Sequence, residues 1–153
     1  MRAATPARHR DDWYALALNY AFAVDRRDAD ALAALFTPDA VVTLFTPGAL
    51  PAAPDGGPPE LGPAAVIESV RPFLRTRHVV EQQHVDYRGG DHASAETYCT
   101  AHHLYRRDGD LYDHVMTIRY LDELTARPAG WRFARRELHV DWTETRRVHE
   151  PRG

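Results

Sequence analysis

The chain has 153 residues, an apolar fraction of 44% and a net charge of −3, which fits one globular domain with one core and argues against nucleic acid or an anionic membrane as partner. Every basic residue is arginine, so a lysine Schiff base and a lysine phosphate loop are excluded. The one cysteine, Cys99, excludes an internal disulfide and any metal site built on several thiolates.

Met1 to Arg10 is polar and reads as a loose arm, not as a secretory signal. The cytoplasm is the default compartment. Asp11 or Asp12 caps a first helix running to about Arg27, with Trp13, Leu16, Ala17, Tyr20 and Val24 as its buried stripe. Asp25 sits at helical spacing from Tyr14, Leu18, Ala21 and Phe22, so it shares a face with apolar and aromatic groups. The last turn of a helix repels a carboxylate, and burial there raises its pKa unless a histidine or arginine comes to meet it. Asp28 opens a short second helix, Ala29 to Phe36, and Val41 to Phe45 reads as a strand.

Residues 46–63 are rich in proline and glycine, long for a connection inside a compact domain, and placed where a lid over a pocket would sit. Ala64 to Arg75 reads as a helix with Val66, Ile67, Val70, Phe73 and Leu74 inward. The period then changes. His78–Tyr87, Ala95–Tyr105, Leu111–Leu121 and Trp131–Trp142 read as four strands of an antiparallel meander, separated by turns at Gly89-Gly90-Asp91, Asp108-Gly109-Asp110 and Pro128-Ala129-Gly130. Residues 144–153 form a charged tail, which leaves one domain over 11–143. The expected fold is α+β: a cone-shaped barrel, three N-terminal helices packed on a strongly curved antiparallel sheet.

Tyr20-Ala-Phe-Ala-Val-Asp25, then Asp28-Ala-Asp-Ala-Leu-Ala-Ala-Leu-Phe36, together with Thr76-Arg-His78, Arg119-Tyr-Leu-Asp-Glu-Leu124 and Gly130-Trp-Arg-Phe-Ala-Arg-Arg136, resembles the SnoaL-like branch of the nuclear-transport-factor-two-like superfamily. The pattern is most similar to the group holding scytalone dehydratase, bile-acid dehydratase and hexachlorocyclohexane dehydrochlorinase. The resemblance implies a pairing of Asp25 with His78. It also implies a second histidine at His102, a tyrosine at Tyr20 and an arginine at Arg136 or Arg135. Two features depart: Met116 stands where scytalone dehydratase uses an asparagine, and the Pro/Gly-rich stretch has no counterpart.

Read from the residues, a carboxylate on one imidazole nitrogen fixes the tautomer and raises the basicity of the other. His102 and His103 are neighbours on a strand, so only one faces a pocket; strand parity leaves the two open, and the resemblance favours His102. Arg136 runs with Ala134, Leu138, Val140 and Trp142, so it needs a buried anion, either a carboxylate or a substrate oxyanion. Arg135 runs with Glu137, His139 and Asp141, a solvated pattern. Phe22, Phe45, Tyr98, His114, Met116 and Trp142 are expected to line the substrate cavity. No motif has zinc spacing and no glycine fingerprint opens a helix after a strand, so neither metal nor cofactor is expected.

These features give an acid–base enzyme on a small, largely apolar cyclic hydroxy-carbonyl substrate, with dehydration favoured. Polyketide cyclisation or isomerisation is the first alternative. A non-catalytic small subunit or ligand-binding module of the same fold is the second. The resemblance also implies a homo-oligomer, a trimer or dimer.

Overall fold

The computed structural model describes residues 7–45 and 60–152. Helix α1 (Ala7–Asp25) and the short α2 (Ala29–Ala33) lead into β1 (Phe36–Phe45). The two-residue β2 (Glu60–Leu61), helix α3 (Ala64–Val70) and strands β3 (Arg75–Asp86), β4 (His92–Arg107), β5 (Asp110–Arg127) and β6 (Gly130–Val148) follow. The helix thus begins inside the stretch read as an arm, and β6 extends into the stretch read as a tail. Most of the expected lid, residues 46–59, lies outside the described residues; Glu60 and Leu61 pair with β1.

The meander is present: β3, β4, β5 and β6 pair antiparallel in sequence order. The β4–β5 turn places Asp108 and Gly109 at φ 53° and 85°, the left-handed pair that matches strand twist in a tight hairpin. The barrel is not formed, and this corrects the expected fold. Strand order is β2-β1-β6-β5-β4-β3, so β2 and β3 are opposite edges of an open, not strongly curved, sheet. It is mixed, because β1 pairs with β6 in parallel. The helices are not all N-terminal, since α3 follows two strands.

Three expected boundaries move for local reasons. Phe36 begins β1 instead of ending α2, where the Phe133 N–H donates to the Leu35 carbonyl at 2.9 Å and starts the pairing with β6. Strand β1 passes through Pro38 with a register shift between Phe36 and Val41, as a residue without an N–H requires. Helix α3 stops at Val70, and Leu74 is exposed instead of inward.

The core lies between α1 and one face of the sheet, here the inner face. Trp13, Leu16, Ala17, Tyr20 and Val24 are buried as the stripe predicts. Trp13 meets Trp131 edge-on at 5.3 Å, and Tyr20 meets Phe133 and Tyr120 at 6.0 and 5.6 Å. On β4 the inner row is Ala93, Ala95, Thr97, Cys99, Ala101 and His103, all buried. No helix among the described residues is long and apolar enough to cross a membrane.

Candidate active site

Helix α1 ends in a Schellman turn. The Asp28 N–H donates to the Ala23 carbonyl at 2.9 Å and the Arg27 N–H to the Val24 carbonyl at 3.1 Å. The turn needs a left-handed residue, and here that residue is Arg27, at φ 55°, not glycine. This ending points Asp25 at the start of β3. His78 Nδ1 lies 2.7 Å from Asp25 Oδ1 and its backbone N–H donates to Oδ2 at 3.0 Å. The Thr76 hydroxyl donates to Oδ1 at 2.9 Å and accepts from the Arg27 guanidinium at 2.8 Å. The same guanidinium donates to the carbonyls of Asp25, Val70 and Phe73. One arginine therefore ties together the ends of α1 and α3 and the start of β3.

Burial pushes the Asp25 carboxyl upward, but the His78 ring, the His78 N–H and the Thr76 hydroxyl outweigh it and hold it below the ordinary carboxylate value. With Nδ1 taken by the carboxylate, the ring's other nitrogen, Nε2, is left for chemistry.

Sheet register brings further groups beside the pair. Thr76, His103, His114 and Thr145 form one cross-strand row on the inner face; His78, Ala101, Met116 and Thr143 form the next. The His103 ring stands edge-on to His78 at 5.8 Å and against Phe73 at 4.9 Å. Burial and the neighbouring His78 push the His103 ring down to about 4, so it is neutral at pH 7. Its Nδ1 is 3.0 Å from the His114 carbonyl and must carry the proton, which leaves Nε2 as an acceptor. His114 bonds Thr145 at 2.9 Å.

The expectation that His102 is the histidine beside His78 is corrected: it is His103. His102 lies on the outer face with Tyr98 and Thr100, and its Nδ1 is 2.7 Å from Asp113. Tyr98 is exposed on the same outer face. Trp142 is 65% exposed because β6 carries an extra residue where Thr117 pairs with Trp142 and Ile118 with Val140; the bulge turns Trp142 off the face of Val140. Phe45 stacks on His139 at 4.2 Å and 8°, in register with the outer face. Phe22 is exposed beneath Arg26, whose guanidinium sits 4.9 Å from the ring centre. His114 and Met116 do lie in the rows beside His78. Sequence reasoning left His103 open by strand parity beside the favoured His102, and gave neither Thr76 nor Arg27 a role in this site.

Arg136 and Tyr20 lie in the core, and among the described residues neither makes a hydrogen bond, ion pair or ring contact with Asp25 or His78. Arg136 has no exposed surface and grips Asp122 through Nε at 2.9 Å and Nη2 at 3.2 Å. Its guanidinium carbon lies 3.7 Å from the ring centre of Tyr120, 4.1 Å from Tyr20 and 4.4 Å from Phe133. The buried anion it requires is a carboxylate of the chain. Desolvation outweighs the opposing pull of the guanidinium and leaves Asp122 raised to about 6, so it is still a carboxylate at neutral pH. Burial likewise pushes the Tyr20 phenol and the Cys99 thiol up to about 12, which keeps both protonated. Among the described residues no group of three His, Cys, Asp or Glu side chains is placed to hold a metal ion.

Residues 7–137 match the SnoaL-like domain. The chain belongs to the SnoaL-like family. Among solved structures it is similar to a provisionally named scytalone dehydratase from Novosphingobium aromaticivorans, at 22% identity and TM-score 0.69, covering 94% of this chain and 89% of that one. A provisionally named aromatic ring hydroxylase from the same organism is 25% identical at TM-score 0.71, covering 95% and 96%. The LinA-type3 hexachlorocyclohexane dehydrochlorinase from Novosphingobium barchaimii is 14% identical at TM-score 0.69, covering 90% of each chain. No curated protein matches the chain. As a SnoaL-like protein it carries a part-buried histidine–aspartate pair at the junction of two helices and an edge strand.

Proposed function

We propose that this chain is a cofactor-independent acid–base enzyme acting on a small, largely apolar cyclic hydroxy-carbonyl compound, and that it removes water. The observation that supports this is the 2.7 Å contact of His78 with an Asp25 whose oxygens also accept from a backbone N–H and a threonine hydroxyl. Such a carboxylate stays ionised and holds the imidazole in one tautomer. His78 Nε2 takes a proton from the carbon beside the carbonyl. That electron pair forms the carbon–carbon double bond, the carbon–oxygen bond breaks, and the departing hydroxide takes the proton from the imidazolium to leave as water. Neutral His103 flanks the base, His114 stands next to His103 in the same cross-strand row, and Met116 is the apolar part of the wall.

Two of the similar structures bear names of elimination enzymes, a dehydratase and a dehydrochlorinase, which agrees with proton removal as the shared step. The test is incubation of wild type and His78→Ala with a panel of cyclic β-hydroxy ketones, read by mass spectrometry. A product lighter by one water with wild type only is the expected result. A new product of unchanged mass would replace dehydration by isomerisation or aldol cyclisation. Equal products from both proteins would remove His78 from the chemistry.

A further inference from the structure

The outer face of the sheet carries a second histidine–aspartate pair that the reaction above does not use. His102 Nδ1 lies 2.7 Å from Asp113 Oδ2. Asp113 is buried, and its other oxygen, Oδ1, has no hydrogen-bond partner. Register sets what surrounds the pair. Arg75, Leu104, Asp113 and Arg146 form one outer cross-strand row, and Arg77, His102, Val115 and Glu144 the next. A cavity of about 270 Å³ opens there, lined by Arg75, Arg77, His102, Leu104, Asp113 and Arg146, with Thr76.

The charges of this lining do not cancel. Three guanidinium groups against one carboxylate leave +2 with the imidazole neutral. Arg146 is partly engaged, 3.4 Å from Asp113 and 3.5 Å from Glu144. Among the described residues no carboxylate pairs with Arg75 or Arg77. Asp113 occupies Nδ1 of His102, so Nε2 is again the ring nitrogen left over. Leu104 is the one aliphatic side chain of the lining, whose remaining side chains, Thr76 apart, are charged or bear an imidazole. A compact oxyanion has much to gain from guanidinium forks on both sides and an imidazole between.

We propose that this cavity is a binding site for a compact, multiply charged oxyanion of the phosphate type, separate from the Asp25–His78 site and on the opposite face of the sheet. Arg75 and Arg77 hold the anion from the β3 side, Arg146 from the β6 side, and His102 contacts it through Nε2. Asp113 positions the ring. The site stands whether or not the chain is a dehydratase.

The test is titration of the full chain with inorganic phosphate, read by calorimetry and by the ring resonances of His102 and His78. Phosphate is expected to bind, to move the His102 signals and to leave those of His78 in place. Arg77→Gln with Arg146→Gln, both at exposed positions, is expected to weaken binding at least tenfold without loss of fold, and Arg77→Gln alone to weaken it less. A parallel arm with glycerol phosphate separates free phosphate from a phosphomonoester: tighter binding of the ester assigns the site to an esterified phosphate, equal binding to the free ion. Absence of binding, an unchanged affinity in the double variant, or equal His102 shifts with sodium chloride at matched ionic strength would overturn the proposal.

Discussion

The sheet carries two histidine–aspartate pairs with the same 2.7 Å contact, one on each face, and they are built in opposite senses. At Asp25–His78 the imidazole is the deeper member, with 7% of its side chain exposed against 20% for the carboxylate. At His102–Asp113 the carboxylate is deeper, at 6%, and the imidazole lies at 26%. The inner carboxylate is shared among a ring nitrogen, a backbone N–H and a hydroxyl, and one arginine braces its surroundings. The outer one keeps an oxygen without a partner and faces a loose ring of guanidinium groups. A short contact alone therefore does not define a base. What distinguishes the inner pair is the number of donors fixing its carboxylate and the apolar, helix-covered face from which its ring emerges.

The most direct way to break the comparison is to remove each ring in turn. With a turned-over cyclic substrate in hand, His78→Ala is expected to lower kcat/KM by about 10³, on the order of 4 kcal/mol of transition-state stabilisation. His102→Gln should change it by no more than about threefold, within the range of a surface substitution. Steady-state kinetics of the two variants side by side decides the point, and equal losses would merge the two pairs into one functional unit.

A second way uses the adjacent residues of β4, which point to opposite faces. His103 is buried and titrates at about 4 in place of an ordinary 6.5. Between those values the unfolded chain binds a proton that the folded chain refuses, so stability rises with pH through this window and falls on acidification. The full effect, from pH 7 to below 4, is about 3 kcal/mol. His103→Gln keeps a donor for the His114 carbonyl but removes the titration. Urea unfolding at a series of pH values should show a flatter dependence between 6.5 and 4 in the variant. An unchanged slope would mean that His103 is not held neutral by burial.

Part of this was legible in the sequence. The helix stripe, the meander and the meeting of Asp25 with His78 depend on periodicity and on a resemblance carried by Tyr20 to Phe36 and Thr76 to His78, and the structure places these residues so. The faces of β4 were in principle readable: Ala93, Ala95, Cys99 and Ala101 are the small or apolar members of the alternation, and they put His103, not His102, inward. The placement of Trp142 was not readable, because one extra residue in β6 inverts parity and leaves no compositional mark. Arg136 pointed correctly to a buried anion, but only packing could choose Asp122 over a substrate. The open sheet was also hidden. Hairpin signals report which strands follow one another, whereas the parallel pairing of β1 with β6 joins segments far apart in the chain.

The finest distinction between the two pairs is the brace, and Arg27 tests it. A non-glycine residue at φ 55° costs of order 1 kcal/mol, yet this position carries an arginine whose side chain makes four hydrogen bonds across three elements. Substitution by alanine keeps the backbone strain and loses the bonds; substitution by glycine loses the bonds and relieves the strain. Arg27→Ala is expected to destabilise the fold by about 2 kcal/mol, and Arg27→Gly by about 1 kcal/mol less. Denaturant midpoints measure that gap. If the brace serves the pair and not the fold alone, both variants lower turnover alike, because each frees Thr76 and Asp25 whatever its stability. If turnover instead follows stability, with glycine the better enzyme, Arg27 only pins the helix ends, and the inner pair owes its order to His78 and Thr76 themselves.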